Sequence, residues 1–124
     1  MSQNQICHFE IGVRDARKAA DFYSKLFDWK MESPADPSIA AANPQVVMMR
    51  TGGEVGGHLN ALGHEPHNYT IFYVMVDDLA GTIARAEAAG GKKLVGPAPV
   101  PGGGTFAWIK DPEGNVIGLY TEKK

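Results

Sequence analysis

An internal repeat constrains this chain more than any other feature. Residues Ile6–Val13 alternate, with Cys7, Phe9, Ile11 and Val13 on one face. Residues Thr70–Val76 alternate in the same way, and the two runs superpose without a gap at an offset of 63. Each is a period-two strand. Asp15 and Asp78 follow at the same offset of 63. Each stands just before a helical pattern, where its carboxylate can accept the orphan N–H groups of a helix start. Ala16, Ala19, Ala20, Tyr23, Leu26 and Phe27 set the apolar stripe of the first helix, and Leu79, Ile83 and Ala86 that of the second. Gly90-Gly91 supplies a stop for the second helix.

Short strands separated by glycine turns follow each helix. The first half predicts strands at Trp29–Glu32, Val46–Thr51 and Val55–Ala61, with a loop over residues 33–44. The second half predicts Lys92–Val95, Thr105–Lys110 and Asn115–Thr121, the last pair joined by the turn Asp111-Pro112-Glu113-Gly114. The reading is an α+β chain of two βαβββ modules, about 5–62 and 69–122, with a linker over 63–68. With 15 glycines and 8 prolines among 124 residues, a helical bundle is disfavoured and short strands with turns are expected.

Composition excludes several functions. A formal net charge of −2 leaves no basic excess to neutralise phosphates, so nucleic-acid binding is not expected. The single cysteine, Cys7, cannot form an internal disulfide, and a cytoplasmic protein is the expectation. The polar start Met1–Gln5 lacks the features of a signal peptide. No apolar run approaches the ~20 residues of a membrane span.

Three stretches, in order, resemble one family. They are His8 to Val13 opening onto Asp15, the helix end Asp21-Phe22-Tyr23-Ser24-Lys25-Leu26-Phe27-Asp28-Trp29, and Asp111-Pro112-Glu113-Gly114-Asn115 followed by Leu119. They are similar to the vicinal oxygen chelate superfamily, which includes glyoxalase I, bleomycin-resistance proteins and extradiol dioxygenases. The resemblance implies paired βαβββ modules whose mixed sheet curls into a cup that binds small molecules, usually over a divalent metal.

Alternation then sorts the side chains. The apolar set Cys7, Phe9, Ile11 and Val13 faces the helices, as do Phe72 and Val74, with Phe9, Ile11, Phe72 and Val74 expected to be buried. Leu59 and Leu119 pack inward. His8, Glu10 and Gly12 face the cup, with Ile71, Tyr73 and Met75 from the second module. His58, Asn60, Gly118 and Tyr120 join them from the last strands. In metal-binding members one ligand comes from each of four places, which map onto His8, His58, Ile71 and Gly118. Ile71 cannot ligate and Gly118 has no side chain. The metal site is therefore incomplete, with His8 and His58 as its residual candidates, and no cofactor is expected as isolated. A catalytic zinc usually needs three protein ligands. The base that glyoxalase-like members carry at the Gly118 position is also missing here.

The expected function is binding of a small organic molecule through His8, His58, Tyr73, Met75 and Tyr120. One alternative is a glyoxalase-like lyase or isomerase using His8, His58 and Glu10, with Glu10 as base, with or without a divalent metal. A second is a drug-sequestering resistance protein. A homodimer is expected by analogy with paired-module proteins. His64-Glu65-Pro66-His67 reads as surface linker, since Pro66 opposes the helix a H-E-x-x-H motif needs. Gly102-Gly103-Gly104 reads as a wide hairpin loop, with a mobile lid as its functional alternative. Cys7, facing the helices, reads as a buried apolar residue rather than a nucleophile.

Overall fold

The two halves of the sequence become two structural units with the same plan. The structure is a computed structural model and describes residues 4–33, 46–100 and 103–122. Most of the predicted 33–44 loop, and Gly102 of the glycine run, lie outside these residues. In chain order the elements are β1 (Ile6–Gly12), α1 (Ala16–Leu26), β2 (Lys30–Glu32), β3 (Val46–Arg50), β4 (Gly56–Asn60) and β5 (Tyr69–Met75). They continue with α2 (Leu79–Ala88), β6 (Lys92–Pro99), β7 (Thr105–Lys110) and β8 (Val116–Thr121).

One unit is His8–Thr70; the other combines Ile71–Lys124 with Met1–Cys7. The N-terminal segment joins the second unit because Met75 N–H donates to the Gln5 carbonyl (2.9 Å) and the Cys7 thiol lies 3.6 Å from the Tyr73 carbonyl. Burial pushes the Cys7 thiol up from its ordinary value, as suits a residue that packs rather than reacts.

In the first unit the strand order is β2-β3-β4-β1, with β1 and β4 parallel and the other pairs antiparallel. The second unit repeats it as β6-β7-β8-β5, with β5 and β8 parallel. Both helices start on the expected caps. Asp15 accepts from Lys18 N–H at 3.1 Å and Asp78 from Gly81 N–H at 3.0 Å. At the end of α2, Gly90 takes a φ of +101°, a region open to glycine at little cost, and Gly91 N–H returns to the Ala86 carbonyl at 2.8 Å.

The helix-facing stripes form two cores. Ala16, Met49, Leu59 and Ala61 are buried in the first unit, with Phe9, Ile11, Val13, Ala19, Tyr23 and Trp29 packed on them. Val76, Leu79, Ile83, Ala107 and Leu119 are buried in the second, with Val74 against them. Two expectations need correction. Phe9, Ile11 and Val74 touch the cores but are only half-buried, and Phe72 is 39% exposed. In the second unit α2 lies on β6, β7 and β8, so its cover reaches Val74 and Val76 but not Phe72. The turn at Asp111 is built by one carboxylate that accepts from Glu113 N–H, Asn115 N–H and the Asn115 amide, each at 2.9 Å. Hydrogen bonds from Asn115 hold that carboxyl below its usual range. The turn motif is thus a structural clasp.

Candidate functional site

Strand register assembles a polar site on the first unit. Opposed residues on neighbouring strands share a face, and β1, β4 and β3 are aligned so that Glu10 stands opposite His58 and His58 opposite Met48. On β2, Glu32 stands opposite Met48. One row of the face therefore reads Glu32, Met48, His58, Glu10. Two residues along the strands, His8 stands opposite Gly56 and Lys30 opposite Arg50. The next step of the β3–β4 register sets Arg50 opposite Gly56, which gives a second row of Lys30, Arg50, Gly56, His8. Gly12 stands opposite Asn60, and Asn60 opposite Val46, in a third row.

The rows place three functional groups in series. His8 Nε2 and His58 Nδ1 are 2.7 Å apart, and His58 Nε2 is 3.4 Å from Glu10 Oε1. Glu10, only 4% exposed, also accepts at Oε2 from the Tyr69 hydroxyl and from the Asn60 amide, the latter at 3.3 Å. Tyr69 can reach because Gly12 has no side chain. A Cβ there would lie 2.0 Å from the Tyr69 ring. Burial first and the neighbouring His58 second, with Glu10 opposing both, bring His8 down to about 4. Burial also lowers His58, with Glu10 opposing. Both imidazoles are therefore neutral at pH 7, and each carries one N–H.

The contacts of His58 assign where those protons sit. A carboxylate oxygen accepts, and with Glu10 Oε1 3.4 Å from Nε2 the proton of neutral His58 sits on that nitrogen. Its Nδ1 is then an acceptor, and His8 donates to it from Nε2. That leaves Nδ1 as the acceptor nitrogen of His8. His8 also lines a cavity of about 280 Å³, together with Glu32, Ser33, Met48, Met49, Arg50, Gly56 and Gly57. Glu10 does not line it. It stands behind His58, 3.4 Å from its Nε2.

The same geometry tests the metal that the resemblance implies. Metal ligands aim their lone pairs at a common point, whereas the His8 and His58 nitrogens face one another. Their ring centres are 5.0 Å apart, as in two imidazoles joined end to end by one hydrogen bond. The second nitrogen of His58 is turned to Glu10. Among the described residues no three His, Cys, Asp or Glu side chains are grouped to hold a metal. Ile71 has no ligating atom, and the space beside Gly118 is filled, since a Cβ there would lie 2.4 Å from the Tyr73 ring. These residues, as arranged, do not fit the family's metal, and no step below runs through one.

The other expected ligand residues belong to the second unit. Tyr73 is buried, and its hydroxyl accepts from the Trp108 indole at 2.8 Å while its ring meets Phe106 edge-on. Tyr73 stands opposite Gly118, as Glu10 stands opposite His58. Met75 is half-buried and stands opposite Tyr120. The Tyr120 hydroxyl accepts from Gly104 N–H at 3.1 Å, which ties the end of the glycine run to β8. The structure brings His8, His58 and Glu10 together in one network. It sets Tyr73, Met75 and Tyr120 in the other unit as a wall of β5 and β8. Sequence reasoning missed Tyr69, Met48 and Arg50. Alternation along β3 could have placed Met48 and Arg50 on the His58 face, but nothing local marked Tyr69.

Known proteins agree with this architecture. Residues 5–119 match the profile of the Glyoxalase/Bleomycin resistance protein/Dioxygenase superfamily. A "Glyoxylase-like domain-containing protein" from Didymella fabae is 34% identical over 125 residues, covering 94% of this chain and 93% of its own length. A Vibrio cholerae protein named "Probable lactoylglutathione lyase" is 29% identical, covering 100% of this chain and 95% of its own length. Mycobacterial and streptomycete relatives are longer, and the chain spans 31% and 45% of their lengths. A hypothetical protein from Bacillus halodurans is 17% identical with a TM-score of 0.72, over 99% of this chain and 97% of that one. Among the described residues no helix is long and apolar enough to cross a membrane.

Proposed function

This chain belongs to the glyoxalase/bleomycin resistance/dioxygenase superfamily, and on that premise we propose that it binds a small organic molecule against His8. The Glu10–His58–His8 series carries the reading. A buried carboxylate fixes one imidazole, which fixes a second, and the second lines the cavity. That arrangement holds an imidazole in one orientation against the cavity and needs no metal to do so. The cavity, at about 280 Å³, lies just below the roughly 300–1,000 Å³ of small-molecule sites, which suits a small ligand.

The same series supports an enzymatic reading, a lyase or isomerase in which His8 moves a proton and His58 and Glu10 hold it in position. A neutral imidazole backed by a carboxylate is a common general base. The likeness to a protein named as a lactoylglutathione lyase supports this reading. Protein-observed NMR with a library of small carbonyl compounds and phenols tests the binding reading on chelator-treated protein. Shifts centred on His8 that vanish in His8→Leu are expected. Binding that appears only when a divalent metal is added overturns it. Exchange of solvent deuterium into the carbon beside the carbonyl of a bound compound, lost in His8→Leu, separates enzyme from binder.

A further inference from the structure

The strand that ends the order of the first unit is suited to meet a copy of itself. Among the described residues β2 has only β3 beside it, so alternate backbone N–H and C=O groups along Lys30–Glu32 point away from the sheet. The strand that ends the second unit's order, β6, carries features that discourage pairing. These are Lys92 and Lys93, Pro97 and Pro99, and two shifts of register against β7. Within Lys30–Glu32 there is no proline and no shift of register, and the two charges are of opposite sign.

Those charges select one register. Lys30 stands opposite Arg50, Met31 opposite Met49 and Glu32 opposite Met48. Lys30 and Glu32 therefore share the face of His58, while Met31 packs on the core under α1. A two-fold axis normal to the sheet runs two copies of β2 antiparallel. Centred on Met31, it sets Lys30 of each copy opposite Glu32 of the other. Centred on Lys30 or on Glu32, it sets like charges opposite one another, which is unfavourable. Glu32 meets Arg50 through Oε1 at 2.6 Å, on a side chain 46% exposed, which leaves Oε2 for a second cation. The Lys30 ammonium makes no ion pair among the described residues, and a second copy supplies its carboxylate.

The helix side of the same edge is apolar and exposed. Leu26 ends α1 and Phe27 caps it, just ahead of β2 in the chain, and α1 packs on β2 and β3. Phe22 lies one turn before Leu26 on the same stripe. Phe22, Leu26 and Phe27 are 58%, 56% and 44% exposed, and together offer roughly 300 Å² of apolar surface. Joining two copies at β2 brings both α1 helices onto one side of a continuous sheet, beside the axis.

We propose that a second copy of this chain docks on this edge, β2 against β2 about a two-fold at Met31, with Phe22, Leu26 and Phe27 packed across the axis. A standard interface takes roughly 800 Å² per partner, so the smaller apolar patch here sets a dissociation constant of about 10–100 µM.

Sedimentation velocity of the full chain between about 1 µM and about 1 mM measures that constant. Lys30→Glu sets like charges opposite at both ends of the strand pair and should weaken association about tenfold or more. Lys30→Glu combined with Glu32→Lys restores both cross-pairs and keeps a carboxylate beside Arg50. It should return the constant to within about threefold of the wild type. Leu26→Glu should weaken association about tenfold, and Leu94→Glu on β6 should leave it unchanged. Backbone amide shifts on dilution should centre on residues 22–32. A wild type still monomeric at about 1 mM overturns the proposal. So does a dimer that ignores Lys30→Glu, or one that Leu94→Glu disrupts, which would place the contact at β6. A charge swap that folds, by circular dichroism, and fails to recover the dimer overturns the Met31 register.

Discussion

Replacing Glu10 by leucine should cost this chain a large part of its stability, for a reason specific to the His8 network. The carboxylate, 4% exposed, accepts from the Tyr69 hydroxyl and the Asn60 amide and lies 3.4 Å from His58 Nε2. Glu10→Leu keeps much of the bulk and removes that carboxylate from all three partners. Leaving buried neutral donors without their acceptor costs about 1–3 kcal/mol each, so several kcal/mol in all, against a total of about 5–15 kcal/mol for a domain. With a urea slope of about 1–3 kcal/mol per molar, the midpoint should fall by about 2 M. A double-mutant cycle with Tyr69→Phe isolates the hydrogen bond. In the wild type that substitution removes a bond to a charged group, about 1.5–3 kcal/mol. In the Glu10→Leu background it should cost nothing or stabilise, because the hydroxyl has lost this acceptor. Urea unfolding at pH 7 measures all four corners. A coupling below about 0.5 kcal/mol, the level at which independent sites add, would refute the claim that Glu10 organises this face.

Other consequences are open to measurement. His8 falls to about 4 when folded and returns to about 6.5 when unfolded. As pH drops below about 6.5 the unfolded chain takes up the proton first, so stability falls, by about 3 kcal/mol at pH 4. His8→Gln should flatten the stability curve across that window, and an unchanged slope contradicts the burial of His8. Gly118→Ala puts a Cβ at 2.4 Å from the Tyr73 ring. It should cost about 1–3 kcal/mol and shift the Trp108 indole N–H resonance, since Tyr73 must move off its hydrogen bond. Asp15→Ala should cost about 1 kcal/mol by uncapping α1, read by thermal unfolding.

The repeat made the fold legible. The offset of 63 between Phe9 and Phe72 and between Asp15 and Asp78 put two strands and two helix starts in place. Alternation placed Leu59 and Leu119 in the cores, where they are 0% and 3% exposed. Burial of Phe72 was not legible, because alternation says which face a residue takes and not how far a helix extends over it. The site was half legible. His8, His58 and Glu10 share a face by periodicity alone, but their series of hydrogen bonds depends on register across three strands, set by glycine-rich loops such as Gly52-Gly53. Tyr69 reaches Glu10 only because Gly12 leaves room, a long-range fit between residues far apart in sequence. Arg50 and Gly56 acquire meaning only when β3, β4 and β1 are laid side by side.

The proton positions on the two imidazoles test the account most directly. Long-range ¹H–¹⁵N correlation spectra at pH 7, with His8 and His58 assigned by substitution, report which ring nitrogen carries hydrogen. The account predicts two neutral rings, both protonated at Nε2, with His58 losing its fixed tautomer in Glu10→Leu. A charged imidazolium on either residue, or a proton on Nδ1 of His58, would contradict the Glu10–His58–His8 series and the ligand site built on it.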